Sequence, residues 1–378
     1  MPTDAATKLL TPPTPLDSAP AASNPTSAGG NPARIVRRLT TRKALRSGLP
    51  WGVVFGVYVA AQALGYASTY KTQAARDTLS KSIKSGGGLN ALIGPAHQLN
   101  TIAGYTAWKS VGILSVLGAV WALLLTTKLM RGEEDAGRWE LLLAGQTTRR
   151  SAAAQAMSGL GAGLVALFSV TAVATVLMGH TGKVHFSTSS AIFFALTVTS
   201  GAAMFMAVGA LTSQLAANRR QAAAYAGGAL GFFFALRMVA DSSGGFSWLH
   251  WATPLGWIEQ LQPFTNPHPV VLILIFGLTI AMVALAISLA GARDLGTSTL
   301  PDRSIAEAHT TLLFGNVGLT VRLIRPTILG WLGGVCAFGL LLGGSAKEAL
   351  ARSEQDLDER PSAALHGALR MSPSRSPP

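Results

Sequence analysis

The stretch PVVLILIFGLTIAMVALAISLAGA, residues 269–292, contains no ionisable side chain. A helix needs about 20 mostly apolar residues to cross the hydrocarbon core of a bilayer, so this stretch predicts a transmembrane helix. Six further stretches between flanking charged residues meet the same criterion: 47–70, 110–127, 151–179, 186–218, 221–240 and 326–346. The sequence therefore predicts an all-α integral membrane protein with a six-span unit and a seventh span.

The composition agrees with a membrane protein that crosses the bilayer several times. Of 378 residues, 49% are hydrophobic and only 12% are charged, whereas about 25% is usual in soluble domains. The net charge of +13 is scattered between apolar runs without aromatic interleaving, which argues against a nucleic-acid partner. A single cysteine excludes a disulfide framework, and the seven histidines form no metal-binding helix pair, so no metal site is predicted.

The distribution of lysine and arginine predicts how the chain crosses the membrane. With the N-terminus inside, the inner segments hold eighteen of these residues and the outer segments eleven, in agreement with the positive-inside rule. We thus expect a cytoplasmic N-terminus; the bacterial plasma membrane is implied by the resemblance described below. The predicted parts are a disordered tail (1–33), a basic interfacial helix (34–46), a six-span unit (47–292), a cytoplasmic linker (293–325), the seventh span (326–346) and a polar tail (347–378).

The outer segment 242–268 carries three tryptophans close together, Trp248, Trp251 and Trp257. Tryptophan concentrates at the membrane–water interface, so these side chains are predicted outer interfacial anchors on short half-helices. Just before them, Arg237 lies near the outer end of the fifth span and Asp241 follows one turn later. We expect the two to form an intramembrane charge pair or Arg237 to reach the interface, and a role in the substrate path is the alternative.

The inner stretch RGEEDAGRWELLLAGQTTRR, residues 131–150, concentrates charge between two apolar runs. It predicts one amphipathic helix that ends near Gly145, with Glu134 and Arg138 four residues apart in the favourable order for an ion pair. From the residues alone two interpretations remain open. The stretch is either a solvated connector whose Trp139 anchors at the interface, or a docking surface for a soluble partner.

Several motifs resemble, in order, those of one family. MRGEEDAGRWELLLAGQTTRR (130–150) and WLHWATPLGWIEQLQPF (248–264) are similar to segments of type-two ABC exporter permeases, in the branch of tetronasin-type polyketide-antibiotic exporters of actinobacteria. ARDLGTSTLPDR (292–303) and RPTILGWLGG (325–334) fit the same pattern less specifically. The resemblance covers roughly residues 34–347, with the first half of a permease that usually has two halves.

The resemblance implies an exporter of hydrophobic small molecules, of antibiotic or drug type, that is not itself an enzyme. The chain would carry no cofactor, because ATP and Mg²⁺ would bind a separate ABC ATPase subunit. Other implied partners are membrane lipid and a second permease half or a second copy, and the chain is expected to be truncated. The coupling residues carried over by position are Glu133, Glu134, Gly137, Arg138, Trp139 and Glu140.

Two functions from other classes compete with export driven by ATP. An ion-coupled secondary transporter would need ionisable or helix-breaking residues near mid-membrane, and Arg237 lies too near the surface. A membrane-embedded transferase acting on a lipid substrate would need clustered carboxylates or histidines at an interface. The sequence predicts no such cluster in the outer loops.

Overall fold

The structure is a computed structural model that describes residues 32–85, 93–143, 147–242, 244–292, 315–325 and 327–336, together with Gly339 and Gly343. Every regular element in this part of the chain is helical, so the all-α prediction is confirmed. In chain order the elements are α1 (Pro32–Thr69), α2 (Gln73–Ser85), α3 (Ile102–Leu129), α4 (Arg131–Asp135), α5 (Arg138–Leu143), α6 (Arg149–Gly179), α7 (Thr188–Leu215), α8 (Arg219–Ser242), a 3₁₀ helix (Gly244–Ala252), α9 (Pro254–Gln260) and α10 (Val271–Ala292).

Six helices among the described residues are long and apolar enough to cross a membrane: α1, α3, α6, α7, α8 and α10. The chain is thus a multi-pass membrane protein. The second predicted span is longer than expected, because α3 begins at Ile102 and has 28 residues. Its start is set by Thr101, whose side-chain oxygen accepts a hydrogen bond from the Gly104 amide, and such caps satisfy an otherwise orphaned amide at a helix start.

The basic segment 34–46 and the first span are one continuous helix, α1, which contains Pro50. Transmembrane helices tolerate an internal proline because neighbouring groups satisfy the freed carbonyl. Small residues allow α1 to pack closely along α6. A β-carbon added at Gly163 would lie 2.8 Å from the Ala44 β-carbon, and one at Gly159 would lie 2.7 Å from that of Thr40. The glycines are therefore required by this close approach.

Helix α7 occupies the centre of the bundle. In its most apolar 18-residue window 83% of the residues are buried, against 17% for α10. It packs on α3, α6, α8 and α10, and Gly201 and Gly209 face Ser115 and Leu123 of α3 at short range. The core of the molecule thus lies around α7. The surrounding helices expose apolar side chains on the side that points away from this core.

Several predicted parts lie wholly or partly outside the described residues. These are the tail up to residue 31, most of the linker 293–325, the seventh span beyond residue 336 and the tail 347–378. Within the described residues, 315–325 and the apolar stretch Thr327–Cys336 are helical. The seventh span and the domain boundaries stay predictions.

Candidate functional site

Residues 131–140, here called the cassette, follow α3 directly and contain two short helices, not one. Helix α4 ends at Asp135 and α5 begins at Arg138. Between them Gly137 has a φ of +68°, a conformation that costs glycine little and other residues more. The prediction of a single amphipathic helix is therefore wrong, because the left-handed backbone at Gly137 interrupts it and turns the chain.

A buried arginine holds the cassette against the rest of the bundle. The Arg131 side chain is 1% exposed, and its guanidinium lies 3.1 Å from a carboxylate oxygen of Glu134 and 3.2 Å from one of Asp135. It also donates a hydrogen bond to the Ala217 carbonyl, between α7 and α8. Asp135 in turn accepts a 2.6 Å hydrogen bond from the Arg219 amide. The end of α3, the cassette and the start of α8 are thereby tied together.

A second ion pair joins the cassette to α1. Glu133 accepts hydrogen bonds from Lys43 at 2.8 Å and from Arg138 at 2.5 Å. The predicted pair between Glu134 and Arg138 is wrong, since Glu134 is buried and pairs with Arg131. The break at Gly137 explains this exchange, because the i,i+4 geometry exists only within a continuous helix.

Trp139 is packed inside the chain. It is 7% exposed, and it shares a small pocket with Val36, Leu39 and Thr40 of α1. Its indole is therefore not presented to the exterior, either as a membrane anchor or as an anchor for a partner. The exposed side chains of the cassette belong to Asp135, Ala136, Arg138 and Glu140.

At the opposite end of α3 and α8, four ionisable side chains form a closed ring: Arg237, Asp241, His250 and Glu259. The Arg237 guanidinium lies 3.5 Å from Asp241 Oδ2 and 3.1 Å from Glu259 Oε1. The His250 ring places Nε2 3.3 Å from Asp241 Oδ1 and Nδ1 3.8 Å from Glu259 Oε2. Basic and acidic groups alternate around the ring, and the structure brings together the Arg237 and Asp241 that the sequence singled out.

The ring is deeply buried, which disfavours charge on its members. Burial raises the pKa of Glu259 to about 7, although Arg237 opposes this rise. Burial also lowers the pKa of His250, and Arg237 lowers it further. Both shifts follow the rule that low-dielectric surroundings favour the neutral form.

Sequence reasoning missed His250 and Glu259, and its statement that the outer loops lack clustered carboxylates and histidines is wrong. The cause is that three separate elements supply the cluster. Asp241 lies in the last turn of α8, His250 lies in the 3₁₀ helix and Glu259 lies in α9. The one available signal was their recurrence at nine-residue intervals, which has no meaning until the turns between the elements are known. The ligand-type atoms of these three residues all lie within 4.8 Å of one another.

The predicted outer tryptophans lie around this end of the molecule. Trp248 and Trp251 are 63% and 57% exposed, and the Trp257 indole donates a 2.8 Å hydrogen bond to the Trp251 carbonyl. The exposure of the first two suits the predicted anchoring at an interface.

Comparisons with known proteins identify the family. A family model described as "Multidrug efflux system permease Rv1217c, C-terminal domain" matches residues 39–293. The chain is also 29% identical, over 302 residues, to the multidrug efflux system permease protein Rv1217c of Mycobacterium tuberculosis (strain ATCC 25618 / H37Rv), covering 79% of this chain. It spans about half of that relative, 53% of its length. The matched segment begins inside α1 and includes the other five candidate spans, the cassette and the ring. The chain belongs to the family of the Rv1217c permease C-terminal domain.

Proposed function

We propose that this chain is the membrane-spanning permease subunit of an ATP-driven ABC exporter of hydrophobic small molecules. Membership of a permease family supports transport over enzymatic chemistry. The name of the mycobacterial relative, a multidrug efflux permease, supports a substrate of drug or antibiotic type. The motif resemblance to tetronasin-type exporters favours the same class of substrate.

The observation on which this proposal rests is the way the cassette is attached to the neighbouring helices while its exposed side chains stay charged. Its inner side is tied to α1 through Lys43 and Trp139 and to the start of α8 through Arg131. Its outer side presents Asp135, Arg138 and Glu140, in agreement with a surface that meets a soluble protein. A connector that only joined two spans would not need ties to two other helices.

This arrangement suggests how work done on a partner ATPase reaches the spans. ATP and Mg²⁺ would bind the ATPase, and its movement would press on the exposed charges of the cassette. Because Arg131 bridges to the Ala217 carbonyl and Glu133 bridges to Lys43, a shift of the cassette would move α3, α8 and α1 together. Such a device is a two-state element that a ligand on another subunit biases.

An apolar cleft of about 430 Å³ between α3 and α8 suits a hydrophobic substrate. Val120 and Leu124 line it from α3, and Gly227 and Phe234 line it from α8. Its volume falls within the ~300–1,000 Å³ typical of sites for drug-sized molecules. The same surface would also suit the second permease half or second copy that the resemblance implies.

The ring favours one rival function, ion-coupled secondary transport, because it supplies buried ionisable groups. Secondary transporters place such groups near mid-membrane, where both sides can reach them. Asp241 lies in the last turn of α8 and His250 lies beyond it, so the ring sits at the end of the spans. We therefore rank this rival below export driven by ATP.

Charge reversal on the exposed side of the cassette tests the proposal. The double variant Arg138→Glu with Glu140→Arg alters exposed side chains only, so it should insert and fold normally. We expect it to lose at least tenfold in affinity for the proposed ABC ATPase subunit, since an interfacial charge pair is worth a few kcal/mol when desolvated. Copurification and ATPase stimulation are the measurements.

The matched control is Lys81→Glu, an exposed charge reversal on α2 at the opposite end of α3. It should leave the affinity for the ATPase unchanged. Wild-type affinity in the cassette variant would refute docking at this surface, and an equal loss in both variants would show that any charge reversal disturbs assembly.

A further inference from the structure

The ring has two sides. Each carboxylate has one oxygen near the guanidinium of Arg237 and the other near the imidazole of His250. Asp241 turns Oδ2 and Glu259 turns Oε1 toward the guanidinium. The other oxygens, Asp241 Oδ1 and Glu259 Oε2, lie on the side of the imidazole. Arg237 thus holds one oxygen of each carboxylate. The other oxygen of Asp241 faces Nε2 of the imidazole and that of Glu259 faces Nδ1, and one ligand-type atom from each of the three residues lies within 4.8 Å of the others.

The spacing on the histidine side suits a tetrahedral metal ion. Zinc–nitrogen and zinc–oxygen bonds of ~2.0–2.2 Å imply ligand atoms roughly 3.3–3.5 Å apart. His250 Nε2 and Asp241 Oδ1 are 3.3 Å apart, and the three ligand groups all lie within 4.8 Å. A metal ion takes only one imidazole nitrogen. If it binds Nε2 beside Asp241 Oδ1, the Glu259 carboxylate, which now faces Nδ1, has to move toward the ion to reach tetrahedral spacing.

Burial leaves these ligand atoms in need of a partner. The side chains of Asp241 and Glu259 are 1% and 7% exposed. Among the described residues no hydrogen bond reaches the carboxylate oxygens of either side chain or Nδ1 of His250. If a bound cation keeps both carboxylates ionised, they carry one more negative charge than Arg237 neutralises, and the cation offsets it. Buried charges are paired or coordinate metals.

We propose that Asp241, His250 and Glu259 bind a divalent transition metal ion of the zinc class. Arg237 positions the two carboxylates through their other oxygens, as groups that orient metal ligands commonly do. Three protein ligands leave a fourth position for a water molecule. The ion would join the end of α8 to the 3₁₀ helix and α9, and so fix the outer segment 244–260 against the spans. This inference does not depend on how transport is energised.

Metal binding is measured on the full chain, purified in detergent through a tag without histidines and stripped with a chelator. We expect one Zn²⁺ per chain in competition with a zinc-binding dye, a Zn²⁺-dependent rise in melting temperature, and the visible absorption bands of tetrahedral Co²⁺. His250→Gln should weaken Zn²⁺ binding by at least about tenfold, the scale on which even outer groups affect metal sites. The matched control, His268→Gln, replaces an exposed histidine of the same outer region and should bind as wild type.

Absence of stoichiometric Zn²⁺ binding by the wild-type chain would overturn the proposal, and so would equal binding by wild type and His250→Gln. Equal loss in His250→Gln and His268→Gln would place the metal elsewhere and overturn it as well. If His250→Gln fails to fold, Glu259→Gln serves as the second ligand variant. The Co²⁺ bands of the wild-type chain decide the coordination without any substitution.

Discussion

Loss of the Arg131 side chain should destabilise the protein far more than loss of Arg138, although both arginines pair with carboxylates of one cassette. Arg131 is 1% exposed, and Arg131→Met removes its ion pairs with Glu134 and Asp135 and its hydrogen bond to the Ala217 carbonyl. Glu134, 6% exposed, would remain as a buried charge. Breaking a buried ion pair from one side costs about 3–5 kcal/mol. Arg138→Met removes a pair whose arginine is 56% exposed, and exposed pairs contribute little to stability because water and salt screen them.

Thermal unfolding of the two variants in the same detergent measures this difference. A loss of about 1 kcal/mol lowers the melting temperature by ~2–4 °C in chains of about 150–250 residues and by less in longer chains. Arg131→Met should therefore melt several degrees below wild type and Arg138→Met close to it. A double variant, Arg131→Met with Glu134→Gln, should recover part of the loss because the buried charge is then removed. Equal melting temperatures for the two single variants would refute the role of Arg131 as the buried residue that holds the cassette against the bundle.

Three further predictions concern packing, topology and Trp139. Gly163→Leu should destabilise the protein by about 1–3 kcal/mol, because its side chain would clash with Ala44 of α1. Gly161→Leu is the control and should be near neutral, since Gly161 faces open space. Equal melting temperatures for the two variants would contradict the α1–α6 contact. In a Cys336→Ser background, a cysteine placed at exposed Ala136 should be shielded from an impermeant thiol reagent added to intact cells, and a cysteine placed at exposed Ser82 should react. The reverse pattern would exclude a cytoplasmic N-terminus. Trp139→Ala should cost about 3–5 kcal/mol, as expected for a buried aromatic, and a change below 1 kcal/mol in chemical denaturation would show that the indole is not packed on α1.

The spans were predictable because they depend on local composition. The run 269–292 needs no partner to identify it as a membrane helix, and the observed α10 covers Val271–Ala292. Helix ends at capping residues such as Thr148, whose hydroxyl accepts a hydrogen bond from the Ser151 amide, also follow from local chemistry. The extension of α3 back to Ile102 is not predicted by hydropathy, because Lys109 interrupts the apolar run.

The cassette and the ring depend on contacts that no local pattern contains. A glycine inside a charged stretch is compatible with a helix, so the positive φ of Gly137 could not be foreseen from spacing alone. Because the helix is interrupted at Gly137, Arg138 pairs with Glu133 and not with Glu134, and Glu134 pairs with Arg131. His250 reaches Asp241 only because the chain reverses after α8, and such a reversal is a tertiary feature.

The central claim, export energised by ATP on a separate subunit, is tested most directly by the energy source of transport. Inside-out vesicles that contain this chain, its ABC ATPase subunit and any second permease half would be supplied with a fluorescent hydrophobic dye in the outer medium. The account predicts dye uptake that requires ATP, stops with vanadate, survives a protonophore and is lost in Arg138→Glu with Glu140→Arg. Uptake that proceeds without ATP and collapses with the protonophore would contradict it.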